Sequence, residues 1–284
     1  MFSPFGFMGT QAGGGGNDPD AQAFINATGI SGIEATAINT LVLDLKGYSI
    51  WTKLKVIYPM VGGTATTMKY NLRDPQDTDA AYRIDWVGSN TTFNSDGVTF
   101  PANVADYGKT YINLSGSTDF SIETGSIAVY NRGYDPTIGT NAAVIGFRSL
   151  ASPTLNCQIF INSGSFNSIS NWQGAGASSV GALSGNNGLL MTCRTGSTSI
   201  ENYRNGVLEI SNSGSAGALI NSVRDIQMLI GAHNRTSTPG AVIPGFPTSA
   251  NVAFASVGDG LDNTEGANLY TAVQAFQTTL SRQV

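Results

Sequence analysis

The stretch "ANVAFASVGDGLDNTEGANLYTAVQAFQTTL", residues 250–280, changes character at Gly258. The residues before this glycine form a short run typical of a β-strand. After it, Asp262 and Glu265 stand three positions apart, which is the spacing of a capping box at the start of a helix. The apolar residues that follow recur at gaps of four, three and four and so share one helix face: Leu269, Val273, Phe276 and Leu280. A strand followed directly by an amphipathic helix is therefore predicted.

The apolar face of this helix needs a partner. It can pack against strands or helices of its own chain, or against a second copy of the chain. Because the stripe is only two heptads long, we favour packing within the chain, although we also expect the protein to form a homo-oligomer.

The chain between residues 71 and 258 shows a period of two, which predicts many short strands joined by tight turns. The dipeptide Asp96-Gly97 predicts a hairpin that places Phe93 opposite Phe100. No helical pattern separates these strands. Consecutive strands are therefore expected to pair with each other in antiparallel sheets.

A second hairpin is predicted at Asn205-Gly206, a dipeptide suited to a turn with two positive φ angles. Counting outward from this turn pairs Tyr203 with Leu208 across the strands. Together with the other strands, this hairpin favours a mainly β protein built as an antiparallel sandwich.

Three helices are predicted before the strands, with start signals at Asp18, Ser31 and Ser49 and stop signals at Gly29, Gly47 and Pro59. Their short connections suggest a small helical subdomain over residues 17–60. Residues 61–284 would then form the sandwich with its C-terminal helix.

Residues 1–16, "MFSPFGFMGTQAGGGG", read as a flexible arm that ends in a glycine hinge. The arm carries large apolar side chains that it cannot bury locally: Phe2, Phe5, Phe7 and Met8. Docking into a partner would explain them, and a disordered terminus is the alternative. The arm lacks the positive n-region of a signal peptide, and Pro4 interrupts it.

The charge distribution excludes two classes of partner. Charged residues make up 12% of the 284 residues, the net charge is −5, and the basic residues form no cluster. Nucleic-acid binding requires a concentrated positive field, so we expect no nucleic-acid partner. We also expect no membrane insertion, because no apolar run reaches the ~20 residues of a membrane span.

The C-terminal part of the chain resembles the closing strands and helix of laminin-G-like, concanavalin A-like lectin sandwiches. The matching positions are Tyr203, Asn205, Gly206, Ile230, Gly231, Gly258, Asp259 and Glu265. This resemblance implies a jelly-roll sandwich with a small N-terminal helical segment and a C-terminal amphipathic helix.

Residues 18–65, 71–86 and 275–284 together resemble structural proteins of tailed bacteriophages. The resemblance implies a non-enzymatic virion protein, such as a capsid decoration protein or a head or tail fibre. It would be made in the bacterial host cytoplasm, and its N-terminal region would attach it to other virion proteins of the capsid, portal or tail. A carbohydrate-binding adhesin that recognises host-surface or mucosal glycans is the alternative, and a glycan hydrolase is a third, weaker reading.

Catalytic patterns are weak in this sequence. Of the five glutamates, no two lie closer than eight residues, so the paired carboxylates that a single strand gives to one family of retaining glycosidases are absent. The one histidine, His233, follows a predicted strand in a turn-rich loop, where an ordinary surface residue is expected. We therefore predict that the protein is not an enzyme.

Cofactor sites are equally limited. Cys157 and Cys193 share strand faces with apolar residues, which predicts buried free thiols, with a disulfide as the alternative. Calcium is the one cofactor left open, because Asp74, Asp77 and Asp79 lie close together. The competing interpretation is that these carboxylates cap turns around a proline and remain solvated.

Glycan binding would need exposed aromatic side chains. Trp172, in the polar segment "SISNWQGAGAS", and Tyr134, in "NRGYDPT", are the candidate stacking platforms. Either ring could instead fold back onto the core.

Overall fold

The computed structural model describes residues 16–113, 120, 124–135, 142–150, 156–162, 167–173, 183–196, 199–213 and 226–284. Three α-helices lie in these ranges: α1 Pro19–Thr28, α2 Gly32–Gly47 and α3 Asn263–Thr279. A short 3-10 helix spans Asp79–Ala81. No described helix is long and apolar enough to cross a membrane.

The strands are, in chain order, β1 Leu54–Tyr58, β2 Asp85–Val87, β3 Thr92–Asn94, β4 Gly97–Thr99, β5 Tyr107–Lys109, β6 Gly125–Gly133, β7 Ala142–Ser149, β8 Asn156–Asn162, β9 Asn167–Gln173, β10 Gly188–Gly196, β11 Ser199–Arg204, β12 Val207–Ser213, β13 Leu229–Ile230, β14 His233–Thr236, β15 Pro244–Gly245 and β16 Asn251–Gly258. They form two sheets. The central sheet has the order β12-β11-β10-β6-β16-β4-β3, with β1 also paired to β16. The outer sheet has the order β15-β14-β7-β13-β5-β2, with β8 and β9 added beside β7.

The two sheets pack face to face around an apolar core. The central sheet contributes Val56, Ile127 and Val257, and the outer sheet contributes Phe147 and Ile159, all with no more than 1% of their surface exposed. Among the described strands, every pair is antiparallel except β7 with β14, which run parallel. The predicted mainly β sandwich is confirmed.

The helices form a third layer, which covers the other face of the central sheet. The alternation of β6 shows this directly, because Ile127 and Val129 enter the core between the sheets. Ala128 and Tyr130 enter a second core, which the central sheet shares with the helices. A strand buried on both faces needs no polar residues, which explains the unbroken run "IAVY" in β6.

The helix ends confirm most of the predicted capping. The Asp18 carboxylate accepts from the Asp20 N–H, and Gly29 ends α1 in the left-handed conformation at φ 70°. At α3, Asp262 and Glu265 form a complete capping box. Ser31 makes no capping hydrogen bond at α2. Glu34 instead accepts from the Gly62 N–H at 2.9 Å, outside its own helix.

The apolar stripe of α3 packs within the chain, as we favoured. Leu269, Val273 and Phe276 are buried in the core shared by the helices and the central sheet, and Leu280 packs against it. Residues of α1 and α2 enter the same core, including Phe24 and Leu41. The helices from the two ends of the described chain therefore form one layer.

The predicted third helix, from Ser49 to Pro59, is wrong. Residues Leu54–Tyr58 form β1, which pairs with β16 at the position of Leu54 opposite Gly258. Trp51 and Leu54 have helical spacing, and both enter the core beneath the helices. Their spacing therefore reflects a shared burial site rather than a helix, because pairing with a distant strand overrides local preference.

The hairpin between β3 and β4 is shifted from its predicted register. Phe93 pairs with Val98, and Asn94 pairs with Gly97, so the turn is Ser95-Asp96 rather than Asp96-Gly97. The Asn94 side chain stabilises this turn by accepting from the Asp96 N–H at 2.8 Å. At the strand position of Gly97, a Cβ would lie 2.4 Å from the Val252 carbonyl oxygen, so this glycine is required for close approach to β16.

The hairpin between β11 and β12 is confirmed. Tyr203 pairs with Leu208, and Asn205 and Gly206 have φ angles of 49° and 74°. These positive angles belong to the predicted turn type.

Both cysteines are free and buried, which confirms the expected thiols. Cys157 lies in the core between the sheets, and Cys193 lies in the core beneath the helices. Because the central sheet separates the two cores, the disulfide alternative is excluded.

Arg282 fixes the chain that follows α3. Its guanidinium is buried, and it donates to the carbonyl oxygens of Pro59, Met60, Ser95 and Ala253 and to the side chain of Gln277. No described carboxylate pairs with it. Burial lowers the pKa of this guanidinium to about 9. This arrangement, the Arg282 anchor, ties the chain end to β1, β16 and the β3–β4 turn.

Candidate functional site

The outer sheet has one face in the core and one face turned away from the central sheet. Along β7 and β8, Phe147, Cys157 and Ile159 point into the core. Their neighbours Arg148 and Gln158 therefore belong to the opposite face, because side chains alternate along a strand. This opposite face carries aromatic rings and polar side chains whose hydrogen-bonding groups are only partly used.

Three rings meet on this face. The ring of His233, on β14, lies 5.4 Å from that of Phe160 on β8 and 5.1 Å from that of Phe246, centroid to centroid. The two phenylalanine rings are 5.7 Å apart. Edge contacts of this kind stabilise aromatic clusters beyond simple area burial. Both phenylalanines are half-buried, so part of each ring faces solvent.

His233 is the floor of the cluster and is fully buried. Its Nδ1 lies 2.8 Å from the Oε1 of Gln158, so Nδ1 carries the proton when this oxygen accepts. Its Nε2 has no hydrogen-bond partner. A Cβ added at Gly245 would lie 3.2 Å from this nitrogen, so the glycine backbone passes close over it.

The expected surface position of His233 is therefore wrong, because the strand β15 covers the ring. Burial, the largest cause, and the neighbouring positive charges of Arg148 and Arg235 together lower the pKa of His233 to about 3. The ring is neutral at ordinary pH.

Two arginines stand side by side above this floor. Arg235 of β14 is the register partner of Arg148 of β7 in the parallel pair. Neighbouring strands lie about 4.8 Å apart, so the two side chains start from adjacent positions on one face. The Arg235 guanidinium lies 5.7 Å from the centroid of the Phe246 ring. Two like charges in such positions repel each other.

Neither arginine has a partner for its charge. Within the described residues, no carboxylate forms an ion pair with Arg148 or Arg235, whereas every lysine of the chain is ion-paired. The Nε of Arg148 is buried and makes no hydrogen bond. We call this set the arginine–aromatic face; it consists of Arg148, Gln158, Phe160, His233, Arg235 and Phe246.

The two predicted stacking residues lie elsewhere. Tyr134 is half-buried and packs against the core between the sheets rather than standing free. Trp172 belongs to strand β9, in register with Cys157, and not to a loop. The contacts of its side chain fall outside the described part of the structure, so its role stays a prediction.

Asp74, Asp77 and Asp79, the residues left open as calcium ligands, take part in other contacts. Within the described residues, no group of three or more acidic, histidine or cysteine side chains could hold a metal ion. Asp77 receives hydrogen bonds from Lys69 and Arg83, which lower the pKa of its carboxyl group. Asp79 also pairs with Arg83, at 2.9 Å.

Asp74 faces a different set of partners, since its carboxylate accepts from the Gln76 side chain at 2.9 Å. The acidic segment is thus a network of surface ion pairs and turn contacts. The predicted anchoring residues Phe2, Phe5, Phe7 and Met8 lie outside the described residues, and their role stays a prediction.

The sequence reading missed the arginine–aromatic face. Arg148 and Arg235 are far apart in sequence and stand alone among uncharged neighbours, in "IGFRS" and "AHNRT". The sequence does hold one indication of this face, because each arginine interrupts a strand whose other residues are buried. The parallel pairing that joins them is not encoded by any local turn.

No family model matches this chain, and no curated protein sequence is similar to it. Several solved structures are similar in part. The NanB sialidase of Streptococcus pneumoniae, as a K499G mutant, is 14% identical over 55% of this chain and 25% of its own, with a TM-score of 0.41. The binding domain of botulinum neurotoxin serotype D is 12% identical over 78% of this chain and 51% of its own, with a TM-score of 0.46.

The sialidase of Trypanosoma rangeli, in complex with 2,3-difluorosialic acid, is 12% identical over 83% of this chain and 38% of its own, with a TM-score of 0.49. In all three comparisons this chain spans about half or less of the other protein's length.

Proposed function

We propose that this chain is a non-enzymatic binding protein that recognises carbohydrate through the arginine–aromatic face. The observation that carries the proposal is the placement of partly exposed aromatic rings beside arginine N–H groups that have no partner among the described residues. Sugars offer an apolar ring face and a rim of hydroxyl oxygens. The half-buried rings of Phe160 and Phe246 suit the first, and the planar donors of Arg148 and Arg235 suit the second.

The same residues argue against acid–base chemistry on this face. His233 is held neutral and covered by β15, so it cannot exchange a proton with a substrate. A catalytic base has to lie within hydrogen-bond reach of the group it deprotonates. The arrangement therefore suits recognition better than turnover.

A glycan array tests this proposal. The labelled full chain is expected to bind a defined subset of sugars, and Phe246→Ala is expected to reduce that binding about tenfold or more by removing a stacking surface. Tyr48→Ala is the matched control, because Tyr48 is an exposed aromatic residue that follows α2 in the helix layer. Absence of binding to every glycan, or equal binding by the two variants, would contradict the proposal.

A second role, as a structural protein of a tailed-bacteriophage particle, is supported by the resemblance of residues 18–65, 71–86 and 275–284 to such proteins. The layer order is consistent with it. The chain from residue 16 enters α1 in the helix layer, on the side of the central sheet opposite the outer sheet. Attachment through the N-terminal region to capsid, portal or tail proteins would leave the arginine–aromatic face directed away from the particle.

Deletion of residues 2–16 tests this second role. The shortened chain is expected to fold, because the deletion touches no described helix or strand, and to be lost from purified particles. Unchanged incorporation of the shortened protein would contradict attachment by the arm. Binding of host-surface glycans by particle-bound protein would join the two roles in one adhesin.

A further inference from the structure

We propose that Arg148 and Arg235 together bind an acidic group of the ligand, a carboxylate or a sulfate ester, on the outer face of the sandwich. The inference rests on the proposed carbohydrate function and adds that the ligand carries a negative charge. It follows from three observations: the register of the two arginines, the lack of an ion-pair partner for either among the described residues, and the neutral histidine beneath them.

The register comes first. Arg148 and Arg235 are direct neighbours in the parallel pair of β7 and β14, so their side chains rise from adjacent points of one face. Two guanidinium groups that start from adjacent strand positions repel each other when they approach, and an anion between them removes this repulsion. A guanidinium presents its N–H groups in a planar fork that matches the two oxygens of a carboxylate or sulfate.

The second observation is the absence of a counter-charge. In the described part of the chain, Arg83 pairs with Asp77 and Asp79, and Arg132 pairs with Asp96, whereas Arg148 and Arg235 form no ion pair. The Nε of Arg148 is buried and has no acceptor among the described residues. A site with positive charge and unused donors is complementary to an external oxyanion.

The third observation is the neutral state of the buried His233 ring beneath the two arginines. A protonated His233 would add a third positive charge that water cannot reach. A carboxylate in its place would neutralise part of the charge of Arg148 and Arg235. The buried ring is instead neutral, with its Nδ1 engaged by Gln158. The positive charge of the face thus remains on the two arginines. Phe246 beneath the Arg235 guanidinium favours a fixed orientation of that group.

Calorimetric titration with a matched pair of sugars tests the inference. Trigalacturonic acid and its methyl ester share one carbohydrate skeleton and differ in charge. The full chain is expected to bind the acid about tenfold or more tightly than the ester, because charge-assisted hydrogen bonds form only with the acid. A rise in salt concentration is expected to weaken binding of the acid and to leave the ester unchanged.

Single variants assign the effect to residues. Arg148→Gln and Arg235→Gln are each expected to remove most of the preference for the acid. Lys55→Gln removes the same unit of charge from the central sheet, where Lys55 pairs with Asp259, and is expected to keep the preference. Circular dichroism confirms folding of each variant. Equal loss in all three variants would overturn the inference in favour of a general charge effect.

A sulfated galactose trisaccharide and inorganic sulfate complete the test. Preferred binding of the sulfated sugar supports the inference and identifies sulfate as the acidic group. Binding of acid and ester with equal affinity overturns the inference while leaving carbohydrate recognition intact. Binding of inorganic sulfate without any sugar supports the arginine site but contradicts the carbohydrate function. Failure of every acidic probe to bind overturns the inference.

Discussion

The Arg282 anchor and the arginine pair of the outer sheet use the same side chain in opposite ways. Arg282 is buried, and its N–H groups reach backbone carbonyls and Gln277, so its charge is spread over dipoles of three chain segments. Arg148 and Arg235 are register partners on neighbouring strands, and no carboxylate of the described residues forms an ion pair with either. The buried Nε of Arg148 makes no hydrogen bond within the described residues.

This difference teaches how to separate structural from functional arginines without relatives to compare. A buried guanidinium with its donors satisfied holds the fold together, and its loss exposes unpaired acceptors. A guanidinium with unused donors contributes little to folding and is available to a ligand. The two groups should therefore respond differently to the loss of charge.

The largest effect is expected for Arg282→Ala. The substitution removes the guanidinium donor from the carbonyls of Pro59, Met60 and Ala253 and opens a cavity, so the free energy of unfolding should fall by at least about 3 kcal/mol. Urea denaturation measures the loss. Arg83→Ala, which removes a half-buried, ion-paired surface arginine, should cost less than about 1 kcal/mol. Similar losses in both variants would show that Arg282 contributes no more to stability than a surface arginine.

A change of pH is expected to have an intermediate effect on the free energy of unfolding, because His233 titrates differently in the folded and unfolded chain. The pKa of this ring is about 3 in the folded chain and near 6.5 when unfolded. A lowered folded pKa gives stability that is present above pH 6.5 and is lost as pH falls toward 3, because the unfolded state takes up the proton. Between pH 7 and pH 5 the loss should be about 2 kcal/mol.

Urea denaturation at a series of pH values checks this, with His233→Phe as the comparison. The variant keeps a ring against Phe160 and Phe246 but has no group to titrate, so its stability should fall less over this range. Parallel curves for the two proteins would show that the buried ring does not resist protonation.

The smallest effect on stability is expected for Arg235→Gln. Arg235 is exposed and has no ion pair, so its replacement should change the free energy of unfolding by no more than about 0.5 kcal/mol. Relief of repulsion with Arg148 can make the change favourable. Thermal unfolding measures it. A loss above about 1 kcal/mol would place Arg235 with Arg282, among the structural arginines.

Features with local causes could be predicted from the sequence. The capping box at Asp262 and Glu265, the stripe of α3 and the turn at Asn205-Gly206 all depend on residues within a few positions of each other. The sandwich followed from the period of two and the missing helices between strands. In each case the deciding interactions lie within a turn or a pair of neighbouring strands.

Features that depend on residues distant in sequence could not be predicted. The segment from Leu54 to Tyr58 is a strand because β16 offers it a free edge, and nothing near the segment in sequence reports this. His233 is buried because β15 and Phe246 return over it. The arginine pair exists because β14 runs parallel to β7. Residues adjacent in sequence indicate only two isolated arginines, Arg148 and Arg235, and a histidine in a loop, His233.

The pairing of β1 with β16 also sets the order in which the protein can mature on the ribosome. The strand that completes the central sheet beside β1 is translated near the end of the described chain, and α3 comes later still. Until then, apolar residues of α1 and α2 such as Phe24 and Leu41 lack the surface that buries them. A nascent chain with exposed apolar segments is prone to aggregate. Its yield in cells should therefore depend on how long translation pauses before β16 emerges and on chaperones that cover the early helices.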